Sequence, residues 1–195
     1  KVVEDLKWGT LVTENAIDIP NYQTYGDTTQ SLEVSVDEAT NVITFYYVEK
    51  YVNINYVAVG PEGAVDFGTV TPSAESLAVI TGVASGSVAA PSSSVYKFVG
   101  WYSNVECTNK IGDEATYVPT KEADKLWVDG TTYYAKFEYN LTSLTIKKDG
   151  VAGYANIDPN QTFIFNIRGN GIDLDVTVHG SDWDVVVDGL TVGAT

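Results

Sequence analysis

The sequence predicts a mainly β protein made of small modules in tandem. Three observations lead there. Apolar and polar side chains alternate over short runs, the signature of half-buried strands, and the runs are divided by turn pairs such as Pro20-Asn21, Gly60-Pro61 and Asp129-Gly130. Apolar residues fall at helical spacing only over residues 120–127. Two aromatic-rich runs, residues 96–102 and 133–137, are suited to covering one another across a small core.

In chain order, residues 6–12 have short extended character, and Ile17-Asp18-Ile19-Pro20-Asn21-Tyr22 ends in a turn. Leu32, Val34 and Val36 alternate with Glu33 and Ser35 as in a strand buried on one face. Asp37-Glu38-Ala39-Thr40-Asn41 then turns the chain into residues 42–48, which are apolar on both faces and so expected as a central strand. Over residues 8–48 the order I-P-N-Y, Y-G-D, S-L-E-V-S-V, N-V-I-T-F-Y-Y resembles the later part of a mucin-binding-protein repeat. Residues 1–50 are therefore expected to be one such module, begun midway.

Residues 51–59 alternate as a strand, with Val52, Ile54, Tyr56 and Ala58 on one side, and Gly60-Pro61-Glu62-Gly63 is turn chemistry. Residues 65–70 and 77–80 read as short strands. Residues 82–94, rich in Ser, Ala and Gly, read as a loop. Strict alternation over residues 96–102 places Tyr96, Phe98, Gly100 and Tyr102 on one face and Lys97, Val99 and Trp101 on the other, while Tyr133, Ala135, Phe137 and Tyr139 share a face. After Pro119, residues 120–127 offer a helical turn with Thr120 as its N-cap. K-F-V-G-W-Y followed by T-Y-Y-A-K-F resembles the internalin-type B repeat, a small module of long, repetitive bacterial surface proteins. The resemblance implies a β-grasp-like sheet for residues 51–139 and, because mucin-binding repeats are related to it, a similar one before it.

From residue 140 the writing changes to four alternating runs: Leu144 and Ile146; Phe163, Phe165 and Ile167; Ile172, Leu174, Val176 and Val178; Trp183, Val185 and Val187. Turn residues separate them, as in an antiparallel sandwich. S-L-T-I-K-K, D-P-N-Q-T-F-I-F-N-I, V-T-V-H-G and D-G-L-T-V-G resemble the first two thirds of a collagen-adhesin B-type domain, so residues 140–195 are expected to form an incomplete Ig-like sandwich. That family often joins a first-strand lysine to a last-strand asparagine. Lys148, which shares its face with Leu144 and Ile146 whereas Lys147 does not, is the matching lysine; the asparagine-bearing region would lie beyond Thr195, and no internal isopeptide bond is expected.

Chemistry-bearing residues are few. His179, the only histidine, closes the alternation Asp173, Asp175, Thr177, His179 on the face opposite the apolar one, which gives it a structural or neutral role and leaves no base for a catalytic triad. Asp173, Asp175, Asp182, Asp184 and Asp188 cluster in sequence, but two-residue alternation spreads them along a face and does not gather oxygens around a calcium. Cys107, beside Glu106 and near Asp113, is either a half-buried filler or an exposed thiol, with the acidic neighbours raising its pKa. Gly169-Asn170-Gly171 precedes a strand and reads as a turn, not a phosphate cradle. Trp101 and Trp183 are expected in the core, while Tyr22, Tyr25 or Trp127 would carry recognition if exposed aromatics bind a carbohydrate or glycoprotein.

With 26 acidic and 11 basic residues the net charge is −15, which excludes the electrostatic footprint of a nucleic-acid binder and disfavours an anionic membrane. No apolar run approaches the roughly 20 residues of a membrane-spanning helix. One cysteine supplies neither a disulfide framework nor a thiolate metal cluster. Together with the resemblances, these observations imply a non-enzymatic fragment of a secreted bacterial adhesin, stalk or spacer. It would be held at the cell wall through flanking sequence, need no cofactor, and meet host or neighbouring-cell glycoprotein or polysaccharide.

Overall fold

The structure, a computed structural model, describes residues 4–147, 158–169, 172–182 and 184–192. The alternation becomes strands β1 (Leu11–Asn15), β2 (Tyr22–Tyr25), β3 (Thr29–Glu33), β4 (Tyr46–Glu49), β5 (Tyr51–Val59), β6 (Gly68–Thr71), β7 (Ala74–Ala78) and β8 (Ser87–Pro91). They are followed by β9 (Tyr96–Tyr102), β10 (Lys110–Gly112), β11 (Thr116–Tyr117), β12 (Thr132–Tyr139), β13 (Leu141–Lys147), β14 (Thr162–Gly169), β15 (Ile172–His179) and β16 (Asp184–Thr191). The protein is mainly β, arranged as several small sheets, and among the described residues there is no α-helix. Trp183, Lys148 and the Asn170-Gly171 pair lie outside the described residues.

The chain divides into two compact units, Lys1–Asn55, Ala74–Ser85 and Val118–Thr131 in one, Tyr56–Ser73, Gly86–Tyr117 and Thr132–Thr195 in the other. In the first unit β1 pairs with β3, β2 with β4, and the Tyr51 to Asn55 half of β5 with β7, all antiparallel. The Pro20-Asn21 turn forms as expected: Tyr22 N–H donates to Ile19 C=O at 3.0 Å, with Asn21 at a φ of 69° that asparagine tolerates well. Two expectations fail here. Residues 42–48 are not a central strand: only Tyr46–Glu49 is strand, it pairs with β2 alone, and residues 42–45 belong to no strand. Residues 120–127 are not helical either. One turn closes, Lys125 N–H to Glu122 C=O, and then Trp127 donates its backbone N–H to Val79 C=O at 3.0 Å and its indole N–H to Gly82 C=O at 2.8 Å. Eight residues are too few to offset helix nucleation when tertiary hydrogen bonds compete for the backbone. Trp127, Ile54, Leu77, Val79 and Ala84 are buried.

In the second unit β9 lies between β10 and β12, and β8 lies between β11 and β6. The strand β8 falls inside the stretch expected to be a loop. Its inward residues are Ser87 and Ala89, too small to show as an apolar alternation in sequence, and Ser87 Oγ donates to Pro72 C=O at 2.7 Å.

The face expected for Trp101 is also corrected. Lys136 lies opposite Gly100 but Phe137 lies opposite Phe98, so Val99 has no counterpart and β9 carries a bulge. The extra residue flips everything after it, and Trp101 joins the face of Tyr96 and Phe98, opposite Ala135 in the series Tyr139, Phe137, Ala135. The result is one aromatic core. Trp101, at 0% exposure, meets Tyr56 edge-on at 5.8 Å and Tyr117 stacked at 5.7 Å, while Phe137 meets Phe98 at 5.8 Å and Phe67 at 5.9 Å.

The four alternating runs after residue 140 each contain a strand, as expected, in two antiparallel ladders, β13 with β16 and β14 with β15. Val178 and Val187 are their buried residues.

Candidate functional site

The reactive side chains singled out in sequence are dispersed. His179 is exposed at the end of β15, opposite Thr162. Its acidic neighbours serve as cross-strand partners: Asp173 accepts from Arg168 Nε at 3.1 Å, and Asp175 accepts from the Asn166 amide directly opposite it. Asp182 accepts from Ser181 Oγ at 3.3 Å, and Asp184 lies opposite Lys147. Among the described residues, no three His, Cys, Asp or Glu side chains are placed to hold a metal ion.

Cys107 is buried, so of the two readings open in sequence the filler holds. Burial pushes its thiol pKa up, with Glu106 adding to the rise and Lys136 opposing it. Asp113, expected to contribute, is turned instead to an ion pair with Lys110.

The structure separates the three aromatic residues that could carry recognition. Trp127 is buried with its indole N–H satisfied, so it presents no face to a ligand. Tyr22 is half-buried on the inner side of the β2–β4 ladder. Tyr25 points outward, 71% exposed, directly opposite Tyr46 at 65%. Opposite residues of an antiparallel pair share a face, so both side chains project from the solvent side of the ladder, next to the outward pair Gln23 and Val48. Two aromatic rings and an amide on a flat ladder can stack on a sugar ring and hydrogen-bond its hydroxyls.

No family model, curated protein or solved structure matches the chain.

A second feature of the first unit has no signal in the sequence. A cleft of about 870 Å³ opens beside the β1–β3 ladder. Val12 and Leu32, which face one another across that ladder, line it together with Ile43 and Phe45; Trp8, 76% exposed, and Glu38 also line it. Hydrogen bonds fix its far wall. Gln30 Nε2 donates to Thr44 C=O at 2.9 Å, and Asn41 bonds both N–H and C=O of Ser35 at 2.8 Å. Sequence alone could not show this cleft, because it depends on residues 42–45 standing unpaired against β1 and β3.

Proposed function

We infer that the chain is a non-catalytic fragment of a bacterial cell-surface adhesin or stalk, and that its adhesive contact is with a glycoprotein or polysaccharide. The observation that carries the reading is the outward placement of Tyr25 and Tyr46, opposite one another on the β2–β4 ladder and beside Gln23. The charge of −15 supports a neutral partner surface over a polyphosphate one, since a sugar surface can be met by stacking without ion pairing. A stalk or spacer role is compatible with the same small sheets and does not need the tyrosine face.

The test is display. The chain, fused between a secretion signal and a wall anchor in a Gram-positive host, is expected to raise adherence of the cells to mucin-type glycoprotein. The Tyr25→Ala/Tyr46→Ala variant, displayed at equal density, should return adherence to that of undecorated cells. Unchanged adherence with the intact chain on the surface would remove the adhesive role and leave the spacer.

A further inference from the structure

The cleft of the first unit is lined by a stretch that reads as a strand yet lies in no ladder among the described residues. Residues 42–45, V-I-T-F, have high β propensity and apolar side chains on both faces, the composition of a strand with neighbours on each side. They lie in no strand. They are anchored by the Gln30 amide on Thr44 C=O and by the turn bond from Val42 N–H to Thr40 C=O at 2.9 Å. Ile43 and Phe45 point into the cleft, facing a floor that includes Val12 and Leu32.

Charge narrows the occupant. Glu4, Asp5 and Glu38 line the cleft, all three exposed, and among the described residues no lysine or arginine lines it. A second copy of this chain would bring another −15 to that surface and is disfavoured.

We propose that the cleft takes up an extended segment of a partner polypeptide with alternating apolar and basic residues, which adds as a strand along residues 42–45. Its apolar side chains enter between Val12, Leu32 and Phe45, its backbone supplies the ladder that V-I-T-F lacks, and its alternate basic side chains meet the carboxylates at the lip. Main-chain pairing gives affinity and the charge pattern gives choice of partner. The cleft is independent of the tyrosine face, which lies on the β2–β4 ladder.

The experiment uses the whole chain, isotopically labelled, and three synthetic peptides: alternating Lys-Val, alternating Glu-Val, and Lys-Val with a central proline that breaks strand pairing. The Lys-Val peptide is expected to bind saturably and to protect the Ile43 and Phe45 amides from hydrogen exchange, while the other two leave them unprotected. Glu4→Lys/Glu38→Lys, two surface changes that leave the core untouched, should weaken that binding about tenfold, the loss expected when weak exposed charge attractions become repulsions. Any of four results overturns the proposal: no binding of the Lys-Val peptide; binding without protection of residues 42–45, as in a generic attraction between a basic peptide and an acidic protein; equal binding of the Glu-Val peptide; or self-association of the chain that protects the same amides and assigns the cleft to a second copy.

Discussion

Trp101 is buried in the aromatic core because Val99 is bulged out of register. Strict period-2 alternation places it with Lys97, since a bulge leaves the composition of a strand unchanged while reversing the parity of every later residue. The hint is Gly100, a weak strand residue at the bend. It sits at a φ of 152°, and a Cβ there would stand 2.7 Å from Gly112 C=O as well as against the Lys110 side chain. Gly100→Ala should therefore destabilise by about 1–3 kcal/mol through backbone strain and crowding, measured by urea unfolding. Trp101→Ala should cost about 3–5 kcal/mol, the usual range for a buried large aromatic. Gly68 sits under the Phe137 ring, where an added Cβ would come within 2.6 Å of it. Gly68→Ala should be destabilising by comparable crowding, and a Gly68→Ala variant of unchanged stability would show that the ring can move aside.

Strand existence is legible in sequence wherever large apolar residues alternate: β5 and β9 have the expected limits, and the four runs after residue 140 each carry a strand. It is not legible in β8, whose inward positions are Ser87 and Ala89, nor in the short β10 and β11, which lie in what reads as a polar loop. In residues 42–45 the failure runs the other way. Propensity and pattern are right for a strand, but a strand also needs a partner, and pairing is not written in a local window. Hydrogen exchange on the free protein should separate these cases: slow amides in β5, β9 and β12, and fast ones at residues 43–45, which lie outside any ladder. Slow exchange at Ile43 and Phe45 in the free protein would mean that the stretch is already paired. For the candidate site, sequence can nominate Tyr25 but cannot assign its face, and it cannot foresee Tyr46 as its neighbour, because β4 reads there as the end of a central strand.

Across the whole molecule, pH acts from both sides. Glu49 is held below its usual pKa of 4.5 first by the Thr81 backbone N–H and also by that of Ile80, and Glu138 by its hydrogen bond with Lys136. A lowered carboxylate pKa contributes stability above about 4.5 that is lost as pH falls through the folded-state value. Burial raises Tyr117 and Tyr133 above 10, so their contribution is present below pH 10 and is lost as pH rises past it, when the unfolded chain ionises first. Thermal melts should accordingly show Tm falling at both limits, with a plateau between; a Tm still rising above pH 10 would contradict the placement of the two phenols. The acid-side groups are half-buried and still in reach of solvent, so that limb should be shallow. The adhesive role rests most heavily on the tyrosine face, and equilibrium binding of the purified chain to an immobilised mucin-type glycoprotein tests it most directly. Saturable binding that falls about tenfold in Tyr25→Ala/Tyr46→Ala, the loss of two stacking contacts of about 0.5–1.5 kcal/mol each, and that is unchanged in Glu4→Lys/Glu38→Lys, is the predicted result. Binding of equal strength in the double-tyrosine variant would contradict it.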